Sequence, residues 1–292
     1  MALRFAYTSD IHIEYHLEAA GLIAGLLAEQ KPDIFAVAGD VSPAPGMVER
    51  TLSIFSEVVP TVLFVPGNHD LWCRSHRRPD FALKGPDSRR RYEVILKDSA
   101  ERGGAVYLPA SPYIHEGVGF AGVTGWYDWT LRNRELDHVL SPDILSSGKY
   151  DTLQWMDCVC SYWKGEGDER LSPVEITAFM VERLERSLNF LDSRADRIIV
   201  ITHFLPYNGL VEPSGDPRHD FVLAHAGSER LGEVINGHPK VVRVVSGHIH
   251  TPIKKRVGAN EVLFETSPVG YPREMSLPLF EHIRGRMRVV DI

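Results

Sequence analysis

The strongest constraint lies in the first seventy residues, where three short apolar runs alternate with two helix-patterned stretches. Residues 3–8, 33–38 and 61–65 are rich in Val, Ile, Phe and Tyr and read as strands. Each breaks off into polar or glycine-containing sequence. Residues 16–30 carry Leu17, Leu22, Ile23, Leu26 and Leu27 near helical spacing, and 48–58 read the same way. A β-α-β-α-β rhythm with connections this short predicts parallel strands joined by right-handed crossovers. With 43% hydrophobic and 24% charged residues, the chain is not disordered, collagenous or a coiled coil. In parallel sheets ligands bind beyond the carboxyl ends of the strands. Asp10, Asp40 and Asn68 fall at those ends.

The same alternation continues. A helix is expected over 89–101, then strands at 105–108, 118–123, 197–202, 241–246, 261–265 and 287–291. The late, strand-rich part predicts a second sheet packed on the first. Between them, residues 126–192 turn polar, aromatic and helical, with Pro173 opening a helix that runs to Asp192. This stretch reads as a helical insertion or cap within one domain spanning 1–292.

Composition narrows the partners. The net charge of −7 provides no general electrostatic footprint for extended nucleic acid or an anionic membrane. No apolar run approaches the roughly 18 residues of a membrane span. No secretory leader pattern is visible, and three cysteines give no disulfide framework, so a reducing, cytoplasmic setting is expected. Cys158 and Cys160 lack the second cysteine pair that a thiolate metal site requires.

Five short pieces stand at strand ends, in order: Asp10-Ile11-His12, Gly39-Asp40, Gly67-Asn68-His69-Asp70, His203, and Gly247-His248-Ile249-His250. Each alone is weak. Together they gather carboxylates and imidazoles where burial is costly unless the groups are paired or bound to metal. In this order they resemble the calcineurin-like metallophosphoesterase superfamily, over positions 10–250. The resemblance implies a four-layer α-β-β-α sandwich of two mixed sheets and a site for two divalent metal ions. Asp10, His12 and His250 would hold the first ion, Asn68, His203 and His248 the second, and Asp40 would bridge them. It implies hydrolysis of a phosphate ester by a water that the metals activate, with His69 facing the substrate and Asp70 orienting His69. A ligand set without thiolate suits Mn, Fe or Zn.

Two departures refine the resemblance. Pro43 stands where many relatives place a further acid after the bridging aspartate, which puts outer support of the site in question. Pro66 before Gly67, and the stretch 267–272, resemble bacterial-type phosphoesterases more than protein serine/threonine phosphatases. Substrate contacts are expected from Arg74 and Arg77, which could clamp a second phosphate. Trp126 and Tyr127 are candidates for a stacking wall, although packing against the sandwich is the commoner fate of such rings. The expected substrate is a small or nucleotide-like phosphodiester. A phosphomonoesterase, a nuclease and a non-catalytic metal-binding scaffold are the alternatives.

Overall fold

The structure is a computed structural model and describes residues 2–73 and 86–292. Thirteen strands are present among them. The first sheet holds β1 (Arg4–Thr8), β2 (Ile34–Ala38), β3 (Thr61–Val65), β4 (Ala105–Tyr107) and β13 (Arg288–Asp291). Their order is β13-β1-β2-β3-β4, and only β13 runs antiparallel. The second sheet holds β5 (Tyr113–His115), β6 (Val118–Val123), β9 (Arg197–Thr202), β10 (Val241–Ser246), β11 (Lys254–Val257) and β12 (Val262–Thr266). Its order is β11-β12-β10-β9-β6-β5, parallel except at both edges. β7 (Lys149–Tyr150) and β8 (Leu153–Gln154) form a separate hairpin.

Strand periodicity decides what lies between the layers. Alternate residues Phe5, Tyr7, Leu63 and Val65 face Phe120, Ile199, Ile201 and Val245 across the two sheets. Their neighbours Phe35, Val37, Val62 and Phe64 face outward and are covered by Ile23, Leu27, Leu52 and Phe55 of the helices Ala19–Gln30 and Pro45–Ser56. The central strands are therefore apolar on both faces, as covered parallel sheets require. Each such side chain contributes about 1.5–3 kcal/mol by leaving water. The result is the four-layer sandwich expected from the sequence.

Several expectations shift. Both early helices start at different residues from those the spacing predicts: Ala19 instead of 16, and Pro45 instead of 48. The helix expected over 89–101 is present over 88–102, with a π turn at Arg91–Ile95. The stretch 126–192 divides in two. Residues 126–172 carry only short helices and the β7–β8 hairpin. The helix Pro173–Asp192, started by a Ser172–Glu175 capping box, instead forms part of an outer layer of the sandwich. Its buried stripe, Ile176, Met180, Leu184, Leu188 and Leu191, meets the second sheet. The short edges β5 and β11 were not legible, because an edge strand such as Lys254–Val257 keeps polar residues on its open side.

Candidate metal centre

Both sheets present their carboxyl ends to one place. β1, β2 and β3 end at Asp10, Asp40 and Asn68, and β9 and β10 end at His203 and His248. The backbone turns sharply there. Asp10, His12, Asp40 and His248 all adopt left-handed φ between 46° and 71°, a conformation that costs non-glycine residues energy and collects at functional sites. Gly39 is needed for a second reason: at φ +88°, a Cβ there would collide with the His203 ring and with Gly67.

The seven expected ligands converge. Asp10 Oδ1 lies 3.6 Å from His250 Nε2, and the His12 and His250 Nε2 atoms are 3.3 Å apart. Asn68 Oδ1 lies 2.9 Å from His203 Nε2 and 3.2 Å from His248 Nδ1. Asp40 stands between the groups, Oδ1 3.4 Å from His203 Nε2 and Oδ2 3.8 Å from His12 Nε2. Outer contacts set the imidazole tautomers. His203 Nδ1–H donates to the Ala38 carbonyl at 2.9 Å, and His250 Nδ1–H donates to Glu274 Oε2 at 2.6 Å. Both bonds leave Nε2 aimed inward. Asp10 is itself held by Ser9 Oγ–H and by the His248 backbone N–H.

The donor set fits cations. Asn68 Oδ1 and two imidazole nitrogens, His203 Nε2 and His248 Nδ1, face one another. His12 Nδ1 is buried without a hydrogen-bond partner. Burial lowers His12 and His248 to about 3, so both are neutral lone-pair donors. Burial also opposes charge on His203 and His250, but Asp40 outweighs it at the first and Asp10 at the second, raising each to about 9. Positive charge is thus favoured where the carboxylates meet.

His69 lies beside this centre. Its backbone N–H donates to Asp40 Oδ1 at 2.9 Å, its ring stacks on Trp72 at 3.7 Å, and Nε2 is 3.4 Å from the Tyr271 hydroxyl. Its Nε2 is 3.9 Å from Asp40 Oδ2, so it also stands within reach of a cation that Asp40 and His12 could share. Asp70 differs from the expectation. Its carboxylate does not touch the His69 ring; it accepts the backbone N–H groups of Asp40, Val41, Ser42 and Gly67. It therefore staples two ligand-bearing loops together. Arg91, at the π turn, donates to the Asp70 and Pro43 carbonyls. These bonds tie residue 43 and the Asp70 turn to the π turn.

The aromatic expectation is corrected. Trp126 and Tyr127 are each 1% exposed. Trp126 packs on Phe204 and Trp163, and the Tyr127 carbonyl accepts the Thr177 hydroxyl. The rings that line the cleft are Trp72, Trp155, Phe221 and Tyr271, which the sequence analysis did not assign to substrate. Asp157 was also missed. It is buried and accepts Asn68 Nδ2–H at 2.8 Å and Trp72 Nε1–H at 2.7 Å. No local signal marks it, because its partners lie more than eighty residues away. Arg74 and Arg77 lie outside the described residues.

Residues 3–252 match the calcineurin-like phosphoesterase family. The chain belongs to that family. No curated protein sequence matches it. Solved structures match over nearly the whole chain. Phosphopantetheinyl hydrolase from Mycobacterium tuberculosis is 19% identical, with TM-score 0.71 over 99% of this chain and 96% of its own. A protein of Thermus thermophilus is 16% identical, with TM-score 0.56 over 100% of this chain and 99% of its own. At these identities the likeness is one of fold. Family membership makes the chain a metal-dependent phosphoesterase, and members of the family use two metals on phosphate esters. Among the described residues no helix is long and apolar enough to cross a membrane.

Proposed function

We propose that this phosphoesterase cleaves phosphodiesters, and that the convergence of Asp10, His12, Asp40, Asn68, His203, His248 and His250 is its dimetal site. Asp10, His12 and His250 would hold one ion, Asn68, His203 and His248 the other, with Asp40 shared. Two divalent ions there would supply a strongly positive, Lewis-acidic centre for the phosphoryl group and a water nucleophile. Mn, Fe or Zn suits the donor set. The chain's own residues do the rest. Trp72 and Tyr271 fix the His69 ring with Nε2 toward the cleft, where it can give a proton to a leaving alkoxide or hold a phosphoryl oxygen. Asp70 keeps the two loops in register, so the ligands need little rearrangement at the moment of reaction.

The shape of the cleft favours a diester. Two cavities of about 520 and 540 Å³ meet at His69, Trp72 and Tyr271. One runs past Trp155, Val211 and Val222, and the other past Tyr15 and Pro272. A diester has two substituents to fill two cavities, while a monoester leaves one empty. Arg273 lines both and lies over the Tyr271 ring. The mostly apolar first cavity suits a slender arm, and a phosphopantetheinyl ester has such an arm; the fold likeness to a phosphopantetheinyl hydrolase makes that class the first to test. The experiment compares kcat/KM on bis-p-nitrophenyl phosphate, p-nitrophenyl phosphate and a phosphopantetheine diester, with Mn²⁺ and with chelator. Metal-dependent turnover that prefers the diesters supports the proposal. Preference for the monoester overturns it in favour of a phosphomonoesterase.

A further inference from the structure

Asn68 carries an ambiguity that its neighbours must settle. A side-chain amide has an oxygen on one side and an NH2 on the other, and only the oxygen can ligate a metal. On its inner side the amide oxygen faces His203 Nε2 and His248 Nδ1. A ring nitrogen donates or accepts according to its tautomer and protonation, so neither atom fixes the amide by itself. The outer side of the amide discriminates.

That outer side is occupied by a single carboxylate oxygen. Asp157 Oδ1 accepts Asn68 Nδ2–H at 2.8 Å and Trp72 Nε1–H at 2.7 Å. Asp157 is 3% exposed, so the bonds are not diluted by solvent. A carboxylate only accepts, so an Asn68 turned the other way would set oxygen against oxygen in a buried place. The second bond reaches the other half of the site. Trp72 is the ring on which His69 stacks, at 3.7 Å and 26°. Asp157 heads the short helix Asp157–Cys160, in the irregular segment that also carries Trp155 and Met156 of the cleft wall.

We propose that Asp157 is a positioning residue that sets the amide of Asn68 oxygen-inward for the second metal ion and, through Trp72, seats His69. The inference rests on the dimetal reading. It assigns the insertion a part in metal binding, although none of the seven expected ligands lies there.

Both bonds use Oδ1, and Oδ2 is buried without a partner. Geometry, not charge, is therefore what the site needs from residue 157. Asp157→Asn can keep both bonds through its carbonyl, with its NH2 in the place of Oδ2. Asp157→Ala cannot keep either. Asp157→Leu keeps the bulk of the side chain and removes the acceptor.

The test measures metal stoichiometry by elemental analysis, and the affinity of each site by titrating chelator-stripped protein with Mn²⁺ or Zn²⁺. Near-UV circular dichroism monitors folding. Asp157→Ala is expected to weaken the second ion about 10–100-fold and leave the first near its wild-type affinity. Asp157→Asn is expected to hold two ions, and Asp157→Leu to weaken the second as Asp157→Ala does. Equal affinities in wild type and Asp157→Ala would overturn the proposal. If Asp157→Ala does not fold, Asp157→Asn and Asp157→Leu decide: equal affinity for the second ion in these two also overturns it. A wild type that takes only one ion under every condition overturns the dimetal reading, and this inference with it.

Discussion

The two sides of the cleft meet at Asn68 but are built differently. On the strand-end side, Asp10, Asp40, Asn68, His203 and His248 each follow the last residues of a buried parallel strand. Their placement follows from topology: once the strands pair in register, their ends must coincide. On the insertion side, Trp155, Met156 and Asp157 sit in a segment of short helices and one hairpin. Their placement depends on side-chain packing, including Trp155 stacked on His225 at 4.9 Å. A rigid scaffold thus carries the charged chemistry, and a locally irregular wall shapes what may approach it.

That contrast predicts how each side responds to damage. The largest effect belongs to Asp40→Ala, which removes the carboxylate shared by both ligand groups. Hydrolysis of bis-p-nitrophenyl phosphate should drop at least about 10³-fold, with metal content falling below two ions per chain. His69→Ala should cost about 10²–10⁴-fold in kcat while both ions remain bound, a split read by kinetics beside elemental analysis. Loss of the ions in His69→Ala would instead make His69 a ligand, as its distance from Asp40 permits.

The insertion side should be more sensitive to pH than to any single contact. His225 is buried, with Nδ1 2.8 Å from the Phe221 carbonyl and Nε2 3.2 Å from both Trp129 Nε1 and the Leu145 carbonyl. Burial lowers it to about 4. An unfolded histidine takes its proton near pH 6.5, before the folded one does. The stability due to this depression is therefore full above about pH 6.5 and is lost as the pH falls toward 4, to a limit of about 3 kcal/mol. Denaturant titrations of chelator-treated protein at pH 7.5 and 4.5 should show that slope, and His225→Gln should flatten it. A variant with the wild-type slope would assign the acid sensitivity elsewhere. The smallest effect is expected for Trp155→Ala. It should raise KM for a long-armed phosphodiester about tenfold and leave kcat on bis-p-nitrophenyl phosphate nearly unchanged. An equal rise for both esters would remove Trp155 from substrate selection.

How far each feature was legible follows from the range of the interaction behind it. The apolar alternation of residues 34–38 and 61–65 is visible locally, so the sheets and the polar strand ends could be read. Trp126 and Tyr127 could not be placed, because an aromatic after a strand packs inward or lines a cleft according to what covers it. Here Phe204 and Trp163 cover Trp126, and Phe204 also lies against Tyr127. Asp70 was read as a partner for its neighbour His69, yet it turned to four backbone N–H groups from two loops. Adjacent residues in a turn point apart, and a buried carboxylate goes where donors cluster.

The sequence by itself determined the β-α-β-α-β start, the second strand-rich sheet packed on it and the polar groups that gather at the strand ends. These follow from hydrophobic period and chain connectivity, which are properties of consecutive residues. Tertiary structure alone decided the outer partners of the site: Glu274 on His250, Arg91 on the Asp70 and Pro43 carbonyls, and Asp157 on Asn68 and Trp72. Each is a directional bond between side chains and loops brought together only when the layers pack. A donor and acceptor separated by many residues leave no periodic trace in the chain, and their pairing exists only in the folded geometry.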